Sequence, residues 1–352
     1  MSKTSARVSR SSSAVNELAR ALTPYTKISP RRFWADLLLC ALLGWGALIW
    51  AAFAVDTGEK ILGFILATVF LYRGSTFIHE VVHVENRLPG FRLAFNILFG
   101  FPNAYPCYIY DLHFLHHQTR SFGTEQDPEY APRTHQSALN IIFGPLVAAF
   151  LLPVVQTLRF GLLPLLYPVL PRAVKAWLFQ RFSTLIFNES FCRPAPTPKE
   201  LRVMVWSDIL CASYRWVAIA LLVTGILPPS FLLLWYGAFV LGSAMNMYRA
   251  LVNHDYSKPF GVHTREEQFL QSNTLVPRIW NELWAPLALS YHSLHHLSPA
   301  IPYHQLPKAH RHVMKDKHLR ALYERTLKTG PVEIVSDLIR SGRMTTSVNG
   351  RV

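Results

Sequence analysis

Cysteine is scarce in this chain of 352 residues, acid is outnumbered by base, and the short glycine and cysteine signatures of common cofactors are missing. The four cysteines, Cys40, Cys107, Cys192 and Cys211, include no C-x-x-C pair, which excludes an iron–sulfur or thiolate-metal motif and gives no disulfide framework. Neither a G-x-G-x-x-G nucleotide fingerprint nor an H-P-G-G haem motif occurs. Asp and Glu number 21 against 35 Lys and Arg, for a formal charge of +14. Those basic residues are spread over segments flanking apolar blocks, so no groove or motif points to nucleic acid as a partner.

Apolar residues are abundant instead. Hydrophobic residues make up 51% of the chain and aromatics 13%, gathered in blocks long enough to cross a bilayer. Residues 1–32 are rich in Ser and Arg, hold one acid and lack the apolar core of a secretory signal, which suggests a mostly disordered cytoplasmic tail; an organellar transit peptide has a similar composition. Blocks at about 33–55 and 61–78, separated by DTGEK (56–60), form an expected transmembrane hairpin. Seven Lys and Arg before Phe33 hold the tail inside, so the second helix returns HEVVH (79–83) to the cytoplasmic face. The apolar stretch 138–170 contains Pro145, Pro153, Arg159, Gly161, Pro164 and Pro168, which argues against one clean span, and is expected to form helices that lie in the interface or dip into it. After a basic, cytoplasmic stretch, blocks at about 207–227 and 231–247 make a second hairpin around PPS (228–230). The basic run 306–328 can rest on the anionic headgroups of membrane lipids. The expected fold is an all-α membrane protein of four transmembrane helices in two hairpins with a cytosolic helical cap, its membrane domain covering 33–320 and a C-terminal tail 321–352.

Nine of the fifteen histidines fall into four sets: His79 and His83; His113, His116 and His117; His254; and His292, His295 and His296. Spacings of i, i+3 and i+4 send the rings of each set from one helix face, and the charge argument puts all four sets on the same side of the membrane. A lone histidine near an interface is usually a polar residue at the water line. Two H-x-x-H-H runs beside an H-x-x-x-H make chance a poor account. Nine imidazoles are too many for one ion but suit two ions with four or five ligands each, and neutral imidazole accepts Fe, Zn, Cu or Ni. Glu80 lies inside the first set, Asp127 and Glu129 follow the second, and Asn253 and Asp255 bracket His254; groups of this kind orient ligand histidines through the second ring nitrogen. His135, His263, His304, His310, His312 and His318 lack such company. HEVVH alone also reads as a zinc-protease motif with Glu80 as general base, and paired histidines at a membrane face can ligate haem. Neither alternative uses both H-x-x-H-H runs.

HEVVH, HFLHH (113–117) and HSLHH, the last within YHSLHHLSPAIPYHQLPKAH (291–310), together resemble the three histidine boxes of the integral-membrane fatty acid desaturase and hydroxylase superfamily, over about Phe33 to Arg320. The resemblance implies two non-haem iron ions held by the boxed histidines plus His254, with O2 as co-substrate. It implies oxidation of a fatty acyl lipid or acyl thioester: first a desaturase forming a double bond, alternatively a hydroxylase on the same site. With no fused haem or flavin motif, electrons come from a separate ferredoxin or cytochrome b5-like donor, for which Lys308, Arg311, Lys315 and Lys317 offer a basic surface. One departure stands out: acyl-CoA desaturases carry an Asn four residues before the extra histidine, where this chain has Ala250, with Asn253 adjacent to His254.

Overall fold

The computed structural model describes residues 14–185, 187–261 and 263–349, side chains excepted over 343–349. Two long helices come first, α1 (Pro30–Phe53) and α2 (Thr57–Val84). Asp56 caps α2, its side chain accepting the Glu59 N–H at 3.0 Å, so the hairpin turns within three residues. Small residues let the two backbones approach. A Cβ added at Gly63 would lie 2.8 Å from the Ala51 Cβ, and one at Gly44 would lie 2.8 Å from Leu71. Leu42, Phe53, Ile61 and Ile65 point outward and exposed, as lipid-facing residues do.

The short α3 (His113–His117) follows, then α4 (Ala138–Gln156), which runs on through a π-helical turn at Thr157–Leu162 to Leu166. Pro145 and Pro153 therefore do not end the helix. Pro145 and Pro153 lie inside α4, and tyrosines of a neighbouring helix satisfy carbonyls next to the disturbed ones: Tyr248 donates to the Ile142 carbonyl, and Tyr236 to the Phe150 carbonyl at 2.7 Å. The Thr157 hydroxyl donates to the Pro153 carbonyl at 2.7 Å. The donors of that face come from α6 (Pro229–Asn253), which with α5 (Pro198–Val223) completes the set of long helices. Among the described residues five helices, not four, are long and apolar enough to cross a membrane, and the run 138–166 is the most apolar of them. The protein is an all-α membrane protein.

The cap is built from short pieces: α7 (Arg265–Leu270), α8 (His292–Leu297) and α9 (Leu306–Lys315), with a two-stranded parallel ladder of β1 (Thr274–Leu275) and β2 (Leu327–Lys328). Thr264 and Glu267 form a reciprocal capping box at the start of α7. Side-chain hydrogen bonds from Thr274 to Ser293 (2.6 Å) and from Ser293 to Thr326 (2.9 Å) tie α8 to the ladder. The stretch 321–352 is more than a tail: it supplies β2 and then α10 (Pro331–Asn349), which buries Ile334 beside Val252 and Leu275. Of the expected tail 1–32, residues 1–13 lie outside the described residues, while 14–21 are helical and bury Val15 and Leu18 in the cluster that holds Val313 and Leu319.

Candidate metal centre

Four elements converge where α2 ends. Its last turns carry His79 and His83, α3 carries His113, His116 and His117, His254 is the C-cap of α6, and α8 carries His292, His295 and His296. The rings sort into two groups whose potential ligand atoms all lie within 4.8 Å of one another: His79, His83, His113, His117 and His295 in the first, and His116, His254, His292 and His296 in the second. Ring nitrogens face each other at 2.8 Å (His117–His113), 3.1 Å (His295–His117), 2.9 Å (His116–His254) and 2.9 Å (His292–His254). Neighbouring ligands about 2.1 Å from one ion stand about 3 Å apart when at right angles, so these spacings suit nitrogens aimed at a shared centre.

The donor set fits metal ions on a second ground. Both ring nitrogens of His79 and of His296, and one each of His83, His117, His292 and His295, are buried with no hydrogen-bond partner. Orphaned acceptors and donors at this density are costly unless something else satisfies them. Burial, then mutual repulsion, holds His113, His117, His292 and His296 well below the ordinary imidazole value, keeping the lone pairs free for coordination. His116 differs: burial pulls it down, but the Asp127 carboxylate at 2.9 Å more than offsets this and raises it.

Partners on the far side of the rings fix their orientation. Glu129 accepts from His113 Nδ1 and Asp127 from His116 Nδ1, while the Ser272 hydroxyl stands 3.4 Å from His254 Nδ1. Burial pushes the Glu129 carboxyl up to about 7, with charge on His116 opposing the shift. Tyr110 stacks on His113 at 4.6 Å and donates to Glu129 at 3.0 Å. Two of the other expected neighbours, Asp255 and Asn253, are placed otherwise. Asp255 binds Ser257 and faces Lys258, turned from every ring. The Asn253 amide pairs with Arg249 instead of a ligand ring. Glu80 accepts the Tyr303 N–H at 3.2 Å through Oε2, which docks the cap onto α2, while its Oε1 stands 3.5 Å from His79 Nδ1. Sequence spacing had no means of finding Ser272 or Gln268; the latter donates to the carbonyls of His116 and His117 at 3.2 and 3.1 Å and clamps the end of α3.

A cavity of about 580 Å³ opens beside the first group, lined by His79, Tyr110 and Glu129 and reaching down between α2, α4 and α6 to Trp235 and Gln156. A long apolar chain fits such a slot.

A helical membrane protein with two buried imidazole clusters at the mouth of a lipid-sized cavity belongs to the class of membrane metal-dependent oxidoreductases that act on lipid chains. The chain is a member of the fatty acid desaturase family, whose sequence profile matches residues 60–326, and so of the membrane desaturase and hydroxylase superfamily. It is 34% identical over 346 residues to the ceramide hydroxylase of Caulobacter vibrioides (strain NA1000 / CB15N), covering 97% of each chain. No solved structure matches it. The expectation that put double-bond formation first is thus reordered: full-length similarity to a hydroxylase favours the alternative on the same site.

Proposed function

We propose that this protein is a membrane lipid hydroxylase acting on a ceramide-like, amide-linked lipid. The observation that carries the reading is similarity to a ceramide hydroxylase along the whole chain, joined to two clusters that together use all nine boxed and flanking histidines. In this reading His79, His83, His113, His117 and His295 hold one non-haem iron, and His116, His254, His292 and His296 a second. Bound there, the pair supplies the oxygen activation that no amino-acid side chain provides. One atom of O2 enters a C–H bond to give an alcohol and the other leaves as water, with two electrons and two protons supplied from outside.

The chain's own residues do the rest. Glu129 and Asp127 hold His113 and His116 by their Nδ1 atoms so that both Nε2 atoms face inward. The cavity walls keep the substrate chain beside His79 and out of water. Lys308, Arg311, Lys315 and Lys317, all exposed, offer an acidic ferredoxin or cytochrome b5-like donor a landing surface, and the clusters open toward the cytoplasm, where such donors reside. The test is lipid profiling of a host expressing the full chain. Gain of one oxygen on ceramide supports the proposal; loss of two hydrogens would restore the desaturase reading; an unchanged lipid profile in cells that accumulate the iron-loaded protein would refute both.

A further inference from the structure

The cavity is graded, and its polar end is level with the metal centre. A Cβ built at Gly242 of α6 would lie 3.3 Å from the Tyr72 Cβ of α2, and one at Gly237 would lie 3.2 Å from Phe64, so the two helices run parallel there. His79 and Arg249 both stand seven residues further on, about 10 Å up their helices from that contact. Both line the cavity. Around them the wall is polar, with Arg133, Gln136, Asn140 and Asn246; away from them it is Leu71, Ala148, Leu152, Ala238, Phe239 and Trp235.

Arg249 is 8% exposed and, among the described residues, neither it nor Arg133 has a carboxylate within ion-pair distance. Its Nε and Nη2 donate to the Asn246 side chain at 3.2 and 2.9 Å, and its Nη1 to the Asn253 amide at 2.8 Å. A guanidinium carries five N–H donors; three are engaged by these amides and the group also meets the Tyr72 side chain, which leaves at most two for an acceptor in the cavity. The Nε of Arg133 is buried without a partner. Glu129 and Glu189 also line the cavity, so its polar end carries acceptors as well as donors. That composition suits a neutral head rich in amide and hydroxyl oxygens better than an anionic one.

We propose that Arg249, steadied by Asn246 and Asn253, and Arg133 beside it hold the polar head of the lipid level with His79, so that the carbon oxidised is one close to the head and its position is counted from the head rather than from the methyl end. Arg249 is a positioning residue in this account, since it fixes which carbon arrives and takes no part in the chemistry. The far end, where Trp235 donates to Asn103 at 3.0 Å and Gln156 Oε1 is buried without a partner, holds no charged lining residue and bounds the tail in this account.

The proposal rests on the hydroxylase reading, and the test separates the two. Cells expressing the full chain are fed synthetic ceramides of short, medium and long acyl chain, and the hydroxyl is located by tandem mass spectrometry. The expected result is one position, constant when counted from the amide. A position constant from the methyl end would overturn the proposal and leave the hydroxylase reading standing; no oxygenated ceramide of any length would overturn that reading and this one with it. Arg249→Lys keeps the charge and loses the fork. It is expected to keep its iron, to need about tenfold more substrate for half-maximal turnover, and to scatter the hydroxyl over neighbouring carbons. A single unchanged position with unchanged substrate dependence in this variant would refute the role of Arg249. Should the variant fail to accumulate, the length series on the unaltered protein decides alone.

Discussion

His295 is separated from its two box partners, and the reason is helical geometry. Residues i and i+4 lie about 40° apart around a helix, whereas i+3 falls about 60° to the other side. In HFLHH the pair His113 and His117 joins the first group and His116 the second; in HSLHH the pair His292 and His296 joins the second and His295 the first. Each H-x-x-H-H box thus bridges both groups, while His79 and His83 both join the first. Replacing His295 with Ala is expected to abolish product formation and to lower bound iron, measured by elemental analysis of the purified protein; two irons and full turnover in this variant would sink the ligand assignment. Asp127→Asn, which removes the carboxylate behind His116, is expected to weaken metal retention about 10- to 100-fold in a chelator competition. His310 carries a different prediction. Buried and 2.8 Å from the Tyr323 hydroxyl, it is pulled down to about 4 by burial and then by Arg311. Its folded value lies below the unfolded one, so the contribution of its neutral form is present above about pH 6.5 and fades as pH falls toward 4. His310→Gln is therefore expected to narrow the difference in melting temperature between pH 7 and pH 5.

At the scale of elements, α4 and its continuation are anchored by charge inside the apolar layer. Arg159, in the π-helical turn, pairs with Asp208 of α5 at 3.0 Å and reaches Tyr167 and Ser183 at 2.8 and 2.9 Å, while Tyr108 also donates to Asp208. Asp208 is fully buried. A buried ion pair adds little net stability, but removing one partner strands the other. Arg159→Met is expected to cost about 3 kcal/mol or more, and Arg159→Met with Asp208→Leu to recover much of it, read as thermal unfolding in detergent. Equal loss in single and double variants would show that the pair is not the anchor. Close helix approach is a second device of this scale: a Cβ at Gly74 would fall 2.1 Å from the Phe99 ring, so that glycine keeps the segment after α2 folded against it.

For the whole molecule, the joined clusters constrain topology. His83 ends α2 and His254 ends α6, and both belong to one site. An even number of membrane crossings therefore separates them, yet three apolar helices lie between. They cannot all cross completely. The run 138–166 starts beside Tyr248, near the site end of α6, carries two internal prolines and sits against α6 and α5. The chain is expected to dip in along this helix and to return after Leu166, leaving α5 and α6 as the crossing pair. In a background without native cysteine, Cys introduced at Glu189, which lines the cavity with His79, should react with an impermeant thiol reagent from the same side as Cys introduced at Glu85, and from the side opposite Val55. Labelling of Glu189 from the Val55 side would refute this path.

Much of this protein was legible in residues 33–320 because the signals are local. Block length, charge bias and i, i+4 spacing depend on a few neighbouring positions, and they pointed to an all-helical membrane protein and to the nine histidines the fold gathers. Asp127 and Glu129 were legible as neighbours of a box. Asn253 and Asp255 were misleading for the same reason, since adjacency in sequence says nothing of the direction a side chain takes past a helix end. That α4 stays helical past Pro145 and Pro153 was not legible, because the hydroxyls that satisfy carbonyls beside them come from Tyr236 and Tyr248, 86 and 106 residues from their acceptors. Sequence alone determined which atoms can bind metal and which segments prefer lipid, because these are properties of side chains and short periods. Only the tertiary structure decided which rings lie together, which apolar run stays helical through its prolines, and which arginine lines the cavity, because each depends on distances between segments that no local pattern encodes.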